Sequence, residues 1–482
     1  MFIGRESELQ FLENRYRSNK AELVVLYGRR RVGKTETLRQ FCKDKQHVFF
    51  ACRESSDQLQ LENFSEKILK RGVPASAYIN RFNDWGQAFE NIAELPFGDS
   101  KRLVVIDEFP YMCKGNSSIP SILQNVWDEK LKDQNIMIVL CGSSLSFIEK
   151  DLLSEKNPLY GRATGILKMQ ELGFYDAARF FPDYSALDKV LAYSVVGGIP
   201  HYLKQFDPEK ALDDNIKTNV LTRGCVLYSE VEFLLKQELR ETALYNALID
   251  AIALGNTKLN EIRQKSLIES SAKASVYLKN LKELGLVERE FSIDAKDKER
   301  SNAGRGIYKL TDNFFRFWYA FVFGNYSELE NGDVEGVYEY EVKPNLEYFA
   351  SPIFESVCKQ FVELKQIRQE LPFRYSKIGR WMGQTTVRDK DNKLRTTETE
   401  IDIMAISSAA DKYLIGECKF KKTPFDYGEY LDTVAKLSNE KQKAEFYYAL
   451  FSRSGFEDNL IAEAKNNTHL TLFDIEEIVG IC

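Results

Sequence analysis

Short apolar runs bounded by glycine or charge dominate the first third of the chain, and helical periodicity takes over after it. Leu23–Tyr27, Leu103–Ile106 and Ile136–Cys141 are apolar runs of strand length, the pattern of strands buried on both faces of a parallel sheet. From about residue 165 to 235 the pattern is helical. Ala243–Leu254 predicts an amphipathic helix with Leu244, Ala247, Leu248 and Ala251 on one face. A short helix over 258–263 follows. A third helix starts at Ser271, carries Val276, Leu278, Leu281 and Leu284 as its apolar positions, and is closed by Gly285. Segments 286–289 and 307–310 read as a strand pair around a charged loop, and three helices plus a hairpin describe a winged helix-turn-helix. Residues 312–325 form an aromatic helix, and the Glu- and Tyr-rich stretch 326–345, with Gly332 and Gly336, reads as a linker. Period-two alternation returns in Glu400–Ala405 and Leu414–Phe420, around a turn at 407–411.

The loop after the first strand carries candidate chemistry. Gly28-Arg29-Arg30-Arg31-Val32-Gly33-Lys34-Thr35 fits the eight-residue phosphate-binding pattern, with a strand before it and a helix after it. Gly28 and Gly33 let successive backbone N–H groups point inward at an anion. Lys34 can reach the β- and γ-phosphates of ATP, Thr35 can hold Mg²⁺, and the following helix adds its positive end. The strand ending in Asp107-Glu108 supplies a second acidic site, with Asp107 for magnesium and Glu108 to polarise the attacking water. Ser143, just past the third strand, lies where open α/β sheets put their ligands and can sense the γ-phosphate or simply form the turn. The Arg29–Arg31 run fits phosphate or interdomain contact as well as plain solvation.

Bulk properties change the picture little. The chain has 482 residues, enough for about three domains. Net charge is −6, so any nucleic-acid contact requires a local basic face. Residues 240–316 hold 14 basic and 11 acidic side chains, a net +3, with Lys273, Lys279 and Lys282 on the candidate recognition helix. These can meet DNA phosphates, or the module can serve for packing and regulation. Eight cysteines without a CxxC pair and only three histidines argue against a zinc site or a disulfide framework. The longest apolar run is too short to span a bilayer, and the early charges predict no signal peptide. A cytoplasmic protein with no membrane partner is expected.

Phe2-Ile3-Gly4-Arg5-Glu6-Ser7-Glu8-Leu9, the phosphate loop and the acidic strand together resemble AAA+/STAND P-loop ATPases. The likeness extends to Pro158–Arg162 and to Gly197-Gly198-Ile199-Pro200. It implies a nucleotide-proximal role for the first segment, a phosphate contact for Arg162 in cis or from a neighbouring subunit of a homo-oligomer, and a lid contact for Pro200. The chain as a whole is most similar to the archaeal-type ATPase family of prokaryotes, which often carries a restriction-nuclease-like C-terminal domain of unassigned role.

That last domain holds the second candidate site. A hairpin centred on residues 409 and 410 sets Asp402 opposite Glu417 and Glu400 opposite Lys419. Directly opposed side chains are close enough for the two acids to share one metal ion, with Lys419 free to orient or deprotonate a water. Asp402, Glu417 and Lys419 resemble the PD-(D/E)xK nuclease core, although Ile401 replaces the usual proline. The resemblance adds Glu355, on a helix opened by Pro352, as auxiliary acid. It also adds Lys436 and Lys441, on a helix spanning 430–443, near the phosphate path. A half-exposed hairpin with ion pairs is the plainer alternative.

The expected fold class is α/β: a P-loop NTPase parallel sheet (1–165), a helical lid (166–238), a winged helix-turn-helix (239–325), a linker (326–345) and an α/β restriction-endonuclease-like domain (346–482). The function these features imply is ATP binding and hydrolysis that gates a nuclease-like domain acting on nucleic acid. The alternative is a regulatory ATPase whose C-terminal modules bind DNA or a protein without cleaving.

Overall fold

Strands β1 (Glu22–Tyr27) and β4 (Ile136–Gly142) are buried along their whole length, as expected where helices cover both faces. In the computed structural model, which describes residues 2–239, 241–300, 305–388, 394–436 and 444–480, they form a five-stranded sheet. Its other members are β2 (His47–Ala51), β3 (Arg102–Asp107) and β5 (Gly165–Lys168). The order is β2-β3-β4-β1-β5, and every pairing is parallel. All five carboxyl ends therefore lie along one edge. Because β4 runs between β1 and β3, the loop after β4 sits between the phosphate loop and the acidic strand end. On one face the sheet packs against Phe64, Trp85, Phe89 and Leu123. The Phe64 ring meets those of Phe50 and Phe89 edge-on at 5.2 and 5.8 Å.

The chain forms two compact units, residues 1–171 with 199–201, and residues 172–198 with 202–482. The expected boundary at 165/166 thus falls later, because 165–168 pair as a sheet strand. The helices expected as a lid are present at Phe174–Ala178, Ala186–Val196, Leu212–Ile216 and Glu230–Glu238, and all belong to the second unit.

Helices Thr242–Ala253, Leu259–Lys265 and Ser271–Glu283 precede the antiparallel pair β6 (Val287–Glu290) and β7 (Ile307–Leu310), the winged-helix order. Two details differ from the periodicity. The first helix buries Tyr245, Leu248, Ile249 and Ile252 rather than Leu244 and Ala247, since Tyr245 packs edge-on against Tyr277 with ring centroids 4.9 Å apart. In the third helix Ala274, Leu278 and Leu281 set the buried face, and Val276 is left 59% exposed. Lys273, Lys279 and Lys282 are all exposed.

Residues 326–345 are not a linker. They form helices Tyr326–Glu330, Val334–Val337 and Tyr338–Val342, then enter the long helix Lys343–Ile367, and they bury Leu329, Val337, Tyr338 and Val342. That long helix begins nine residues before Pro352, so the proline lies inside it rather than at its start.

The C-terminal sheet contains β8 (Tyr375–Arg388), β9 (Leu394–Ser407), β10 (Lys412–Lys419), β11 (Glu445–Ser452) and β12 (Leu470–Asp474). Its order is β12-β11-β10-β9-β8, with β8, β9 and β10 antiparallel and β10, β11 and β12 parallel. Helix Tyr427–Ala435 follows β10. The order here is thus a helix, three antiparallel strands, a helix and a parallel strand. Among the described residues no helix is long and apolar enough to cross a membrane.

Candidate functional site

The loop after β1 turns at Gly28, where an added Cβ would lie 2.4 Å from the carbonyl oxygen of Met169. That carbonyl belongs to a backbone already tied to the strand, for Met169 N–H donates to Tyr27 O at 2.7 Å. Only glycine fits there, and Gly28→Ala is expected to cost about 1–3 kcal/mol of stability, read from the denaturant midpoint. Gly33 has φ +93°, a left-handed conformation that suits glycine, and helix Lys34–Cys42 starts directly after it. The N-terminal end of this helix therefore abuts the loop, where backbone N–H groups favour an anion.

Five side chains converge at this edge. Lys34 is buried, and its Nζ donates to Gly28 O at 2.8 Å and Arg29 O at 2.9 Å, curling the loop around the ammonium. Burial lowers the Lys34 pKa, opposed by Cys141, Glu108 and Asp107. Thr35 Oγ1 donates to Asp107 Oδ2 at 2.7 Å, joining the loop to the end of β3. Glu108 takes a left-handed backbone (φ +53°) at the start of helix Phe109–Gly115, and Ser143 Oγ donates to its Oε2 at 2.8 Å. Gly142 allows this approach, since a Cβ there would meet Pro110 at 2.9 Å. Lys34, Thr35, Asp107, Glu108 and Ser143 are thus brought together. The hydroxyl and carboxylate oxygens of Thr35 and Asp107 are the hard donors that magnesium takes, so the residues fit that ion.

Pro200 also reaches this site, its Cγ lying 3.8 Å from where a Cβ on Gly33 would be. Arg162 does not join the cluster. Among the described residues its hydrogen bonds run to Asp128, at 3.0 Å from Nη2, and to Tyr160 O. The guanidinium in turn holds the Asp128 carboxyl below its ordinary range. Arg5 is the residue that pattern reading undervalued. It is 6% exposed, and its Nη2 donates to Val32 O at 2.8 Å and Gln170 O at 2.7 Å while Nη1 meets Glu8 at 2.7 Å. One guanidinium therefore clamps the phosphate loop to the segment after β5. The Gly4-Arg5…Glu8 spacing was the available signal.

In the second unit, β9 and β10 pair Tyr413 with Ile406 through Gly416 with Ile403, the register expected from a hairpin centred on 409 and 410. Glu417 and Asp402 lie one residue beyond the last of these pairs, near enough for the Glu417 charge to act on Asp402. Asp402 Oδ2 accepts from Cys418 N–H at 2.9 Å. Glu417, 6% exposed, receives Lys419 at 3.0 Å and Lys436 at 2.7 Å, one on each carboxylate oxygen. Burial, with Glu355 and Glu417 nearby, pushes the Asp402 carboxyl up to about 7. Glu355 is raised as well, mainly by burial. The expected pairing of Glu400 with Lys419 is not formed. Glu400 turns to Arg380 at 2.8 Å, while Lys419 is drawn to the nearer carboxylate two residues back. The helix expected over 430–443 ends at Ala435, with Lys436 at its cap, and Lys441 lies outside the described residues.

Among the described residues no three His, Cys, Asp or Glu side chains are already arranged as a metal cage. Two carboxylates are nevertheless enough for a magnesium that keeps its remaining oxygens from water or substrate phosphate. The carboxylate oxygens of Asp402 and Glu417 are donors of the kind such an ion takes.

Residues 2–206 match the model of an ATPase domain found predominantly in Archaea, and residues 318–442 match one described as archaeal and bacterial proteins of unknown function. An uncharacterized protein of Methanocaldococcus jannaschii is 30% identical over 486 residues, spanning 99% of this chain and all of that one. The chain belongs to the archaeal-type ATPase family. An uncharacterized ATP-binding protein of the same organism is 53% identical over 45 residues, 9% of this chain and 76% of its own. Among solved structures, a Walker-type ATPase of Pyrococcus abyssi gives a TM-score of 0.49 at 21% identity, covering 66% of this chain and 96% of that one. The ORC2 protein of Aeropyrum pernix, in ADPNP and ADP complexes, gives 0.40 at 14% identity over 68% and 94%. Membership in this ATPase family agrees with the P-loop fold of the first unit and with nucleotide binding.

Proposed function

We propose that this archaeal-type ATPase hydrolyses ATP with magnesium and uses its nucleotide state to control a metal-dependent nuclease-like site in its C-terminal domain. The observation that carries the first half is the convergence of Lys34, Thr35, Asp107, Glu108 and Ser143 on one sheet edge. Lys34 would leave the Gly28 and Arg29 carbonyls for the β- and γ-phosphates, and the freed loop N–H groups would take the same oxygens. Magnesium on Thr35 and Asp107 would neutralise charge on those phosphates. Glu108, fixed by Ser143, would align the attacking water. A γ-phosphate arriving between them would compete for the Ser143 hydroxyl, so hydrolysis can be read at this contact. Arg162 would join only by exchanging Asp128 for phosphate, in cis or from a second subunit.

Coupling is supported by chain connectivity. Residues 199–201 belong with the ATPase unit, and Pro200 packs near Gly33, while Gly198 and Tyr202 on either side belong to the second unit. A shift of the phosphate loop on nucleotide binding would therefore be felt by a segment anchored through Tyr202, whose hydroxyl donates to Glu230 at 3.0 Å. Support for the second half is the Asp402–Glu417 juxtaposition with Lys419 beside it. There a divalent ion would polarise a phosphodiester and Lys419 would orient the water. The exposed Lys273, Lys279 and Lys282 would hold the DNA backbone.

The second reading, a regulatory ATPase with an inert C-terminal site, is favoured by the cations that already satisfy these acids: Lys419 and Lys436 on Glu417, and Arg380 on Glu355. Incubating the full chain with linear DNA, circular DNA and RNA in Mg²⁺ or Mn²⁺, with and without ATP, separates the two. Cleavage that depends on ATP is the expected result. ATP turnover without cleavage of any substrate would establish the regulatory reading instead.

A further inference from the structure

The winged-helix hairpin is tied to the very strand that borders the carboxylates. Just past β6, Ile293 N–H donates to Arg380 O at 2.8 Å. Ser292 Oγ accepts from Met382 N–H at 3.1 Å, and Asp294 Oδ2 accepts from the Trp381 indole N–H at 2.9 Å. Ile293 is buried in one cluster with Trp381, Ile401, Met404, Ile406 and Ile415. Three consecutive residues of β8, 380 to 382, are therefore held by three consecutive residues of the hairpin, 292 to 294.

The middle of this seam carries a charge. The Arg380 side chain is 12% exposed and reaches carboxylates from three elements: Nη1 to Glu400 on β9 at 2.8 Å, Nη2 to Glu355 on the long helix, and Nε to Glu290 on β6 at 3.7 Å. Asp402 is close enough for its charge to act on the guanidinium as well. Glu290 is itself paired with Lys309 of β7. A guanidinium cannot lose its charge by deprotonation in a protein, so the positive charge is permanent.

We propose that Arg380 is a built-in monocation, paired with Glu355 and near Asp402, that competes with a divalent ion for these carboxylates, and that the β6–β7 hairpin holds it there through Glu290 and the 292–294 seam. A nucleotide-driven movement of the winged helix would thereby change cation affinity without touching Asp402 or Glu417. This inference rests on the reading of Asp402 and Glu417 as cation ligands.

The test is calorimetric titration of Mn²⁺ into the nucleotide-free full chain and its Arg380→Gln, Glu290→Gln and Asp402→Asn variants. Arg380→Gln should tighten the binding that Asp402→Asn removes by about ten-fold, the effect of deleting one nearby opposite charge. Glu290→Gln, which leaves Arg380 in place but loosens its tether, should move affinity the same way by less, and it serves if Arg380→Gln fails to fold. Asp402-dependent binding that is unchanged or weakened in both variants would overturn the role of Arg380 while leaving the metal reading intact. Absence of any Asp402-dependent binding would overturn both.

Discussion

Lys34→Ala is expected to lower kcat/KM for ATP by about 100- to 1,000-fold, the cost of losing one preorganised group that meets charge developing in the transition state. The alanine cannot bridge the loop and the phosphates, and the Gly28 and Arg29 carbonyls that now accept from Nζ lose their partner. Both ground-state binding and turnover should therefore fall. Glu108→Gln separates the two effects. It keeps the side chain's size and a hydrogen bond to Ser143, so ATP affinity should stay within a few-fold while single-turnover hydrolysis drops by a similar 100-fold or more. Measuring nucleotide affinity with a fluorescent analogue and phosphate release on the same samples checks both variants. Wild-type turnover in Glu108→Gln would move the water-aligning role elsewhere.

Asp402→Asn should abolish divalent-dependent cleavage of nucleic acid, a loss of at least about 100-fold, and leave ATP turnover unchanged. The amide preserves the shape and the acceptor for Cys418 N–H, so the β9–β10 ladder should survive. Removal of a buried carboxyl already pushed up to about 7 also relieves repulsion with Glu355 and Glu417, and the variant should melt no lower than the wild type. Gel assays of cleavage beside thermal melting of the same preparation distinguish lost chemistry from lost fold. Cleavage retained in Asp402→Asn would remove this carboxylate from the mechanism.

The phosphate loop, the acidic strand end and the β9–β10 register were all legible because each is local. Gly28 to Thr35 is eight contiguous residues, and a hairpin about residues 409 and 410 ties 402 to 417 by its own geometry. Long-range choices were not legible. Glu400 and Lys419 face each other on paper, yet Arg380, from another strand, offers Glu400 a fork that Lys419 cannot match. Arg5 gave no sign that its partners would be carbonyls 27 and 165 residues away. Residues 326–345 were misread for a different reason. Their many glutamates and two glycines suggest solvation, whereas Leu329, Val337, Tyr338 and Val342 are spaced to bury one side of successive short helices.

That buried stretch governs how the protein can be dissected. A fragment starting at 346 would discard the first turn of helix Lys343–Ile367 and strip Phe349 of the Phe317 and Phe321 rings that lie 5.8 and 5.3 Å from it. The raw end would expose apolar surface and would begin six residues before a proline that already interrupts the helix's hydrogen bonding. Proteases should likewise find no early cut between the aromatic core at 314–322 and the buried middle of helix Lys343–Ile367. The C-terminal sheet and the winged helix should therefore be inherited, expressed and lost as one piece.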